Sequence, residues 1–152
     1  MLYSMRFSKQ LLETVKRISK AFGLPVYVPF TTYKAIKCLK YGFKLIYDAS
    51  PDVFLNLIDN AELVLTNSFH GTAFSVIFQK NFFHICDIKD NLVVRDDRID
   101  DLLDGLNIKR NVNINTDVSE IINAQKIPYD NVKVLLESLC AKSIDFLKGH
   151  IN

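Results

Sequence analysis

The segment Leu63–Ala73, with the sequence LVLTNSFHGTA, is the part of the chain that decides its fold. Its first four residues form an apolar run that is typical of a buried strand. Asn67 and Ser68 then form a turn, and the residues His70–Phe78 favour a helix. A buried strand that leads through a short polar turn into a helix is the repeating unit of parallel α/β sheets.

Four further apolar runs predict strands on either side of this segment, at Leu2–Tyr3, Leu24–Val28, Lys44–Tyr47 and Phe82–Cys86. Strands that are apolar on both faces are typical of a parallel sheet covered by helices on both sides. Residues 31–43 leave two alternatives open, a short helix or an ordered loop. The pattern predicts an α/β fold, a Rossmann-like parallel sheet with helices on both faces.

Amphipathic spacing predicts the helices between these strands. The first ends at Gly23, and its apolar face is formed by Leu11, Leu12, Val15, Ile18 and Phe22. The second begins at Ser50-Pro51-Asp52, where a capping hydroxyl, a proline and an acid occur together. A short helix is predicted over Arg98–Leu106 and a final helix from about Asn131. The buried positions of the final helix are expected to be Val132, Leu135, Leu136, Leu139, Ile144 and Leu147.

The composition describes one globular domain over residues 1–152. Hydrophobic residues make up 49% of the chain, and its net charge of +2 is too small to indicate a nucleic-acid binder. No apolar run reaches the roughly 18 to 20 residues that a membrane span requires, and no secretory signal is recognisable, so we expect a cytoplasmic location. The widely spaced Cys38, Cys86 and Cys140 fit buried or free thiols rather than a disulfide framework or a zinc site.

The polar cluster that follows the strand at 63–66 is the best candidate for a binding site. Ligands of open α/β sheets bind beyond the carboxyl ends of the strands, where free N–H groups at a helix start attract anions. Ser68 is expected to cap the helix and Gly71 to let a ligand approach the backbone closely. An imidazole changes charge near neutral pH, so His70 is suited to donate a proton or to hold negative charge. The alternative is a silent connection in which His70 only caps or packs the helix.

The segment Ala61–Ser75 resembles the signature of the polysaccharide pyruvyl transferase family, whose core reads T-[DN]-S-F-H-G-T. Ser50–Leu55 is similar to the helix start S-P-E-E-F-L of that family. Arg98-Ile99 followed by Leu102-Leu103 resembles its later R-I…L-L segment.

The resemblance continues toward the end of the chain, where Ile127–Val132 is similar to an I-D-Y-x-x-V pattern with Pro128 in place of the usual Asp. It spans most of the chain, from about Leu2 to Leu147. Members of the family have two Rossmann-like domains that face a cleft, as in GT-B glycosyltransferases. The resemblance is to the C-terminal one, so it implies that the N-terminal acceptor domain is absent from this chain.

The activity that the resemblance implies is a ketal-forming transfer. The three-carbon unit of phosphoenolpyruvate moves onto two hydroxyls of a sugar in a cell-surface polysaccharide, and phosphate is released. The chain would be the donor-binding half and inactive alone. Its partners would be phosphoenolpyruvate, a sugar or lipid-linked glycan, and the missing domain, in the cytoplasm or at the inner face of the membrane. No cofactor is expected besides the donor substrate.

The chemistry of the donor assigns roles to the signature residues. The methylene carbon of phosphoenolpyruvate must gain a proton before an oxygen can add to the neighbouring carbon. His70 is the expected catalytic acid, or else it holds the leaving phosphate. Substrate-binding residues are expected at Asn67, Ser68, Gly71 and Thr72, with hydroxyl or backbone donors from the last three.

Two arginines follow the strand that ends at Cys86 and are expected to flank the same cleft edge. Because guanidinium groups bind carboxylates and phosphates, Arg95 and Arg98 are expected to bind substrate. The alternative is pairing with the neighbouring acids, which are Asp96, Asp97, Asp100 and Asp101. Two alternatives stay open for Arg110, joining these two arginines or an exposed position without such a role, and we favour the exposed position.

Other features have weaker signals. A basic, aromatic patch could meet an anionic membrane surface or a lipid-linked glycan, with a solvated face as the alternative. Its residues are Tyr33, Lys34, Lys37, Lys40, Tyr41, Phe43 and Lys44. His84 is expected to be a satisfied core residue. No spacing of His, Cys, Asp and Glu suggests a metal site.

Two other functions stay open for the chain. The first is a non-catalytic, truncated binding domain that keeps the fold and anion binding. The second is the nucleotide-sugar half of a glycosyltransferase. Binding of phosphoenolpyruvate or of a nucleotide sugar would distinguish the ligand classes.

Overall fold

The computed structural model describes residues 1–90 and 92–150. The strands are β1 (Leu2–Tyr3), β2 (Tyr27–Pro29), β3 (Lys44–Ile46), β4 (Val64–Thr66), β5 (Phe82–Cys86), β6 (Ile88–Lys89), β7 (Leu92–Val93) and β8 (Asn111–Asn113). The α-helices are α1 (Lys9–Phe22), α2 (Pro51–Asp59), α3 (Phe69–Ile77), α4 (Asp97–Gly105), α5 (Val118–Ile122) and α6 (Tyr129–His150). A 3-10 helix occupies Tyr33–Tyr41.

The central sheet has four parallel strands in the order β1-β4-β5-β8. Thr66 lies opposite Tyr3 on one side and opposite His84 on the other. β2 and β3 form a parallel pair that contacts β1, and β6 and β7 form a small antiparallel pair. Because the four central strands run in one direction, the loops that follow them meet at one edge of the sheet.

Helices cover both faces of this sheet. On one face α1, α5 and the 3-10 helix pack against Leu65, Phe83 and Ile85. On the other face α2, α3, α4 and the first half of α6 pack against Val64 and Phe82. Consecutive residues of β4 and β5 therefore belong to opposite cores, as the alternation of side chains along a strand requires. The predicted α/β, Rossmann-like architecture is confirmed.

The helix boundaries follow the capping signals in the sequence. Ser8 begins α1 by accepting the N–H of Leu11 at 3.1 Å, and Gly23 ends it in the left-handed region at φ +66°. A residue with a Cβ would be less stable in that conformation by roughly 1–2 kcal/mol. Ser50 caps α2 by accepting the N–H of Val53 at 3.5 Å, with proline at the first helical position.

Of the two alternatives for residues 31–43, the structure has the helix, in its 3-10 form. Gly42 ends it at φ +79°, and the N–H of Gly42 donates to the carbonyl of Leu39 at 3.0 Å. Phe43 is buried and Tyr41 is half-buried. These two side chains of the expected basic, aromatic patch therefore pack in the core, and the prediction that they lie on the surface is wrong.

Only the first half of α6 packs against the rest of the domain. Val132 is buried, and Leu136 and Leu139 are partly buried in the second core. Leu135, Ile144 and Leu147 are exposed. The predicted burial of Ile144 and Leu147 is wrong because the helix continues past the elements that it packs against, and all residues from Cys140 to His150 are exposed. The predicted burial of Leu135 is wrong as well, since it is exposed within the half of α6 that packs against the domain.

The three cysteines are free, with Cys38 and Cys86 buried and Cys140 exposed. Burial raises the pKa of the Cys38 thiol to about 11, which disfavours the reactive thiolate. Within residues 1–90 and 92–150, no group of three or more His, Cys, Asp and Glu side chains is arranged to hold a metal ion. Among the same residues, none of the helices has both the length and the apolar character needed to cross a membrane.

Candidate functional site

A cleft of about 450 Å³ lies at the edge of the sheet where β1, β4 and β5 end. It is lined by the loops after these strands and by the segment that leads into α4. The lining residues are Met5, Arg6, Asn67, Ser68, Phe69, His70, His84, Ile85, Cys86, Asp87, Val94, Arg95, Asp96 and Arg98. Five residues predicted for the site thus share one cleft, namely Asn67, Ser68, His70, Arg95 and Arg98.

The turn between β4 and α3 is held by Thr66, whose hydroxyl accepts the N–H of Ser68 at 3.1 Å. The side chain of Ser68 makes no capping hydrogen bond, so the prediction that it caps α3 is wrong. Its carbonyl accepts the N–H of Thr72 at 3.0 Å instead, while its side chain lies at the cleft. The N–H groups from Phe69 to Gly71 precede this first helical hydrogen bond and have no acceptor within the helix.

Gly71 and Thr72 lie beneath the cleft, and both are buried. A Cβ at position 71 would overlap the hydroxyl of Thr66 and lie 2.9 Å from the Cβ of Thr66. The close approach that requires glycine is therefore between α3 and β4. We expected it between the backbone and a ligand.

His84 lines the cleft although only 5% of its surface is exposed. Its Nδ1 lies 3.2 Å from the hydroxyl of Thr72, which also donates to the carbonyl of Ser68 at 3.1 Å. A hydroxyl has one proton, so both contacts are hydrogen bonds only when Nδ1 carries a proton and donates to Thr72. Nε2 is then an acceptor.

The Nε2 atom of His84 has no hydrogen-bond partner among the described residues. Every fully buried side-chain nitrogen or oxygen in those residues has a partner, so Nε2 is not fully buried, and His84 itself lines the cleft. His84 is buried and hydrogen-bonded, as predicted for a core residue. It also brings a second imidazole to the site, which the sequence did not indicate.

Protonation of His84 should destabilise the folded chain. Burial lowers the pKa of His84, and this effect outweighs the nearby carboxylates of Asp96 and Asp100. An unfolded histidine has a pKa of about 6.5. Because the pKa is lower in the folded chain, the unfolded chain takes up the proton first as the pH falls. The stability that neutral His84 provides is therefore fully present above about pH 6.5 and is lost as the pH falls through the pKa of the folded chain. The free energy of unfolding, measured with urea, should therefore fall more between about pH 7.5 and pH 5.5 for the parent chain than for His84→Gln. An equal fall in both proteins would contradict the lowered pKa of His84.

Both predicted arginines are paired with carboxylates. Arg98 donates from Nε and Nη2 to Asp96 at 3.0 and 2.7 Å, and its guanidinium lies 5.2 Å from the ring centre of Phe69. Nε of Arg95 lies 3.2 Å from Asp100. The hydrogen bonds from Arg98 hold the pKa of Asp96 below its ordinary value. Ion pairs in which one partner is exposed contribute little stability, so breaking either pair should cost little free energy of unfolding.

Arg6 is a residue of the cleft that the sequence did not identify. The hydroxyl of buried Ser4 accepts the N–H of Arg6 at 3.0 Å and donates to its carbonyl at 2.6 Å, which fixes the turn after β1. No carboxylate of the described residues forms an ion pair with Arg6. Burial raises the pKa of Asp87, which also lines the cleft, and the positive charge of Arg6 opposes this rise. The signal that could have identified Arg6 is its place directly after a predicted strand.

The prediction that Arg110 is exposed is wrong. Only 5% of its surface is exposed, because its guanidinium lies 4.7 Å from the ring centre of Phe83 and donates to the carbonyl of Gln125. Burial lowers the pKa of Arg110. The side chain ties the segment after α5 to the sheet, outside the cleft.

A second cavity, of about 210 Å³, lies where the strands begin. Its lining is mainly apolar, with Ile18, Phe22, Leu24 and Val26 among the side chains. No described lysine or arginine side chain lines this cavity, and the amino group of Met1, whose pKa burial lowers to about 6, donates to the carbonyl of Leu63 at 2.7 Å. The cleft at the carboxyl ends is therefore the better candidate site.

A family model described as "Polysaccharide pyruvyl transferase" matches residues 6–85. This span is more than half of the chain and contains Arg6, His84 and the whole turn between β4 and α3. It ends before Arg95 and Arg98. Searches among curated proteins and among solved structures found no match to the chain.

Proposed function

The chain belongs to the polysaccharide pyruvyl transferase family, and from this premise we propose that its cleft binds phosphoenolpyruvate for transfer of the pyruvyl unit to a polysaccharide sugar. The observation that carries the proposal is the arrangement at one sheet edge. Arg6, which has no ion pair among the described residues, lines the same cleft as Phe69 and His70, whose N–H groups have no acceptor within α3.

These groups suit the two anionic ends of phosphoenolpyruvate. A guanidinium binds a carboxylate or phosphate with two parallel hydrogen bonds, and the start of a helix favours negative charge. Arg6 is available for one end of the donor. Arg98 and Arg95 would bind the other end after exchanging their carboxylate partners for the ligand.

In the proposed reaction, His70 in its protonated form gives a proton to the methylene carbon, which becomes a methyl group. A sugar hydroxyl oxygen adds to the neighbouring carbon, and the bond from that carbon to the phosphate oxygen breaks. The second hydroxyl oxygen then adds and closes the ketal. Of the two hydroxyl protons, one restores His70 and the other leaves with the phosphate. His70 is exposed in the cleft, where a substrate could reach it.

We propose further that the chain is the donor-binding domain of a two-domain site, with the acceptor bound by a second domain. The anion-binding groups named above support this division, because they match the donor and not an uncharged sugar. Under this proposal the chain binds phosphoenolpyruvate without turnover, and turnover returns when an acceptor-binding domain is added.

Calorimetric titration with phosphoenolpyruvate and with a nucleotide sugar tests the proposed function. We expect heat from phosphoenolpyruvate and none from the nucleotide sugar. The opposite result would favour the nucleotide-sugar half of a glycosyltransferase. Binding of phosphoenolpyruvate that never leads to turnover with any added domain would favour the non-catalytic binding domain. No binding of either ligand would reject both enzymatic functions.

Arg6→Gln should weaken phosphoenolpyruvate binding by about tenfold or more, since a hydrogen-bonded charge pair is worth about 1.5–3 kcal/mol. Arg98→Gln should have a smaller effect because its guanidinium is already shared with Asp96. The matched control is Arg17→Gln, an exposed arginine on α1 outside the cleft, which should leave the affinity unchanged. Equal affinity of Arg6→Gln and the parent chain would reject the role of Arg6.

A further inference from the structure

Positive charge is concentrated in one part of the chain. Residues 14–47 contain seven lysines and arginines and no aspartate or glutamate, while the other residues contain 12 basic and 17 acidic ones. The net charge of +2 is therefore the sum of a strongly basic segment, residues 14–47, and an acidic charge over the rest of the chain. The seven cations are Lys16, Arg17, Lys20, Lys34, Lys37, Lys40 and Lys44. All are exposed, and none forms an ion pair with a described residue.

The 3-10 helix sorts its side chains into three faces. Such a helix has three residues per turn, so positions three apart in sequence lie on one face. One face is buried and contains Ala35 and Cys38. The second is apolar but exposed, with Tyr33 at 83%, Ile36 at 48% and Leu39 at 50% exposure. The third is basic and exposed, and its residues are Lys34, Lys37 and Lys40.

We call the two exposed faces, together with Tyr47, the docking face. Phe30 joins its two tyrosines, with ring centres 5.9 Å from Tyr33 and 5.2 Å from Tyr47. The docking face begins two residues after Thr31, whose hydroxyl lies 3.9 Å from the sulfur of Met5, a residue that lines the cleft. One end of the docking face therefore lies near the candidate site.

We propose that the docking face binds the surface of a membrane that contains anionic lipid head groups. Lysines attract such a surface, and tyrosine rings and aliphatic side chains beside them enter the boundary between head groups and acyl chains. The parallel apolar and basic stripes favour a lipid surface over a nucleic acid, which would use the lysines and leave Ile36 and Leu39 in water. If the proposed function also holds, docking places the cleft beside lipid-linked glycans. The docking itself does not depend on that function.

Vesicle flotation without phosphoenolpyruvate tests the proposal, so that a failure of the enzymatic function does not affect the result. Vesicles of phosphatidylcholine with about 30% phosphatidylglycerol should bind the chain, and pure phosphatidylcholine should bind it weakly. Raising the salt from about 0.1 M to about 0.5 M should reduce the binding to anionic vesicles.

Two variants separate the contributions of charge and apolar contact. Because each lysine near an anionic surface is worth about a fivefold change in partitioning, Lys34→Gln, Lys37→Gln and Lys40→Gln together should reduce binding about a hundredfold. Ile36→Ser with Leu39→Ser should reduce it about tenfold or more. All five side chains are exposed, so thermal unfolding of both variants should match that of the parent chain.

Matched controls carry the same changes elsewhere on the surface. Lys109→Gln, Lys126→Gln and Lys133→Gln change the net charge equally, and Val134→Ser with Leu147→Ser removes two exposed apolar side chains from α6. Both controls should bind as the parent does, within about twofold.

Four results would overturn the proposal. The first is no binding to anionic vesicles, and the second is an equal loss in a control and its matched variant. The third is vesicle binding that Ile36→Ser with Leu39→Ser leaves unchanged, together with binding to DNA that is as strong as binding to anionic vesicles. That result would indicate a surface for polyanions in general. The fourth is a dimer in light scattering that Ile36→Ser with Leu39→Ser dissociates, which would make this face an interface between two copies.

Discussion

His70→Gln should slow the release of phosphate from phosphoenolpyruvate by about 10²- to 10⁴-fold, the usual effect of removing a positioned acid. The physical reason is that His70 is the exposed imidazole of the cleft, whereas His84 is largely buried on β5 and its Nε2 is an acceptor in the neutral ring. Glutamine keeps a polar side chain of similar length but donates no proton to carbon. The measurement is phosphate release in the presence of a glycan acceptor and an acceptor-binding domain, with calorimetry of donor binding beside it.

The control for this variant is His150→Gln, which changes an exposed histidine at the end of α6 and should leave the rate unchanged. Because His70 is itself exposed, the fold should tolerate its replacement, and thermal unfolding should be close to that of the parent chain. A rate that stays normal in His70→Gln would reject the catalytic assignment. A normal rate per bound donor with much weaker binding would assign His70 to the phosphate instead.

Gly71→Ala should destabilise the folded chain by about 3 kcal/mol, at the upper end of the range for overpacking. The new Cβ would overlap the hydroxyl of fully buried Thr66 and lie 3.0 Å from the Tyr3 ring, which packs against Phe54. For a domain of this size the melting temperature should fall by roughly 6–12 °C. Thermal unfolding followed by circular dichroism measures this loss.

The same variant should also weaken donor binding, because a shift of α3 away from β4 moves the N–H groups at the cleft. Gly149→Ala is the matched control. No atom of a described residue other than those of its own helix and chain neighbours lies within 4 Å of a Cβ placed there, so the change should be neutral or slightly stabilising. If Gly71→Ala melts at the temperature of the parent chain, the packing of α3 against β4 is looser than described.

The parts of the fold that the sequence predicted well are those set by local interactions. β5 was predicted to the residue, because a run of five buried side chains needs no partner to be recognised. Gly23 and Ser50 were recognised from the capping rules, which involve only neighbours in the chain. β2 was predicted at Leu24–Val28 and observed at Tyr27–Pro29, because its bounds are set by pairing with β3.

Elements that depend on distant partners were not predicted. β8 has the sequence Asn-Val-Asn, which has a single apolar residue and becomes a strand by pairing with β5 at the sheet edge. α5 has five residues, too few for a helical period to be read. For α6 the error has the opposite direction, because the sequence predicts more burial than the structure has. The apolar residues continue at helical spacing into the second half of the helix, where no described residue covers them.

The same distinction applies to the candidate site. The turn after β4 was identified because strand, polar residues and helix follow one another in sequence. Arg6 and His84 were missed as site residues because their roles depend on folding. Arg6 is held by a turn closed by Ser4, and the proton position on His84 is set by Thr72 on a neighbouring helix.

The contact between Thr66 and Gly71 constrains how this segment can change during evolution. The Thr66 hydroxyl fills the space that a side chain at 71 would need, and it also holds the N–H of Ser68. A sequence that acquires alanine at 71 first must pass through a destabilised intermediate. One that first loses the hydroxyl at 66 removes the nearest contact, but the Cβ at 66 still lies 2.9 Å from the new side chain, and the turn at the cleft is less well held. The two positions are thus expected to change together and rarely, which limits the mutational routes away from this turn.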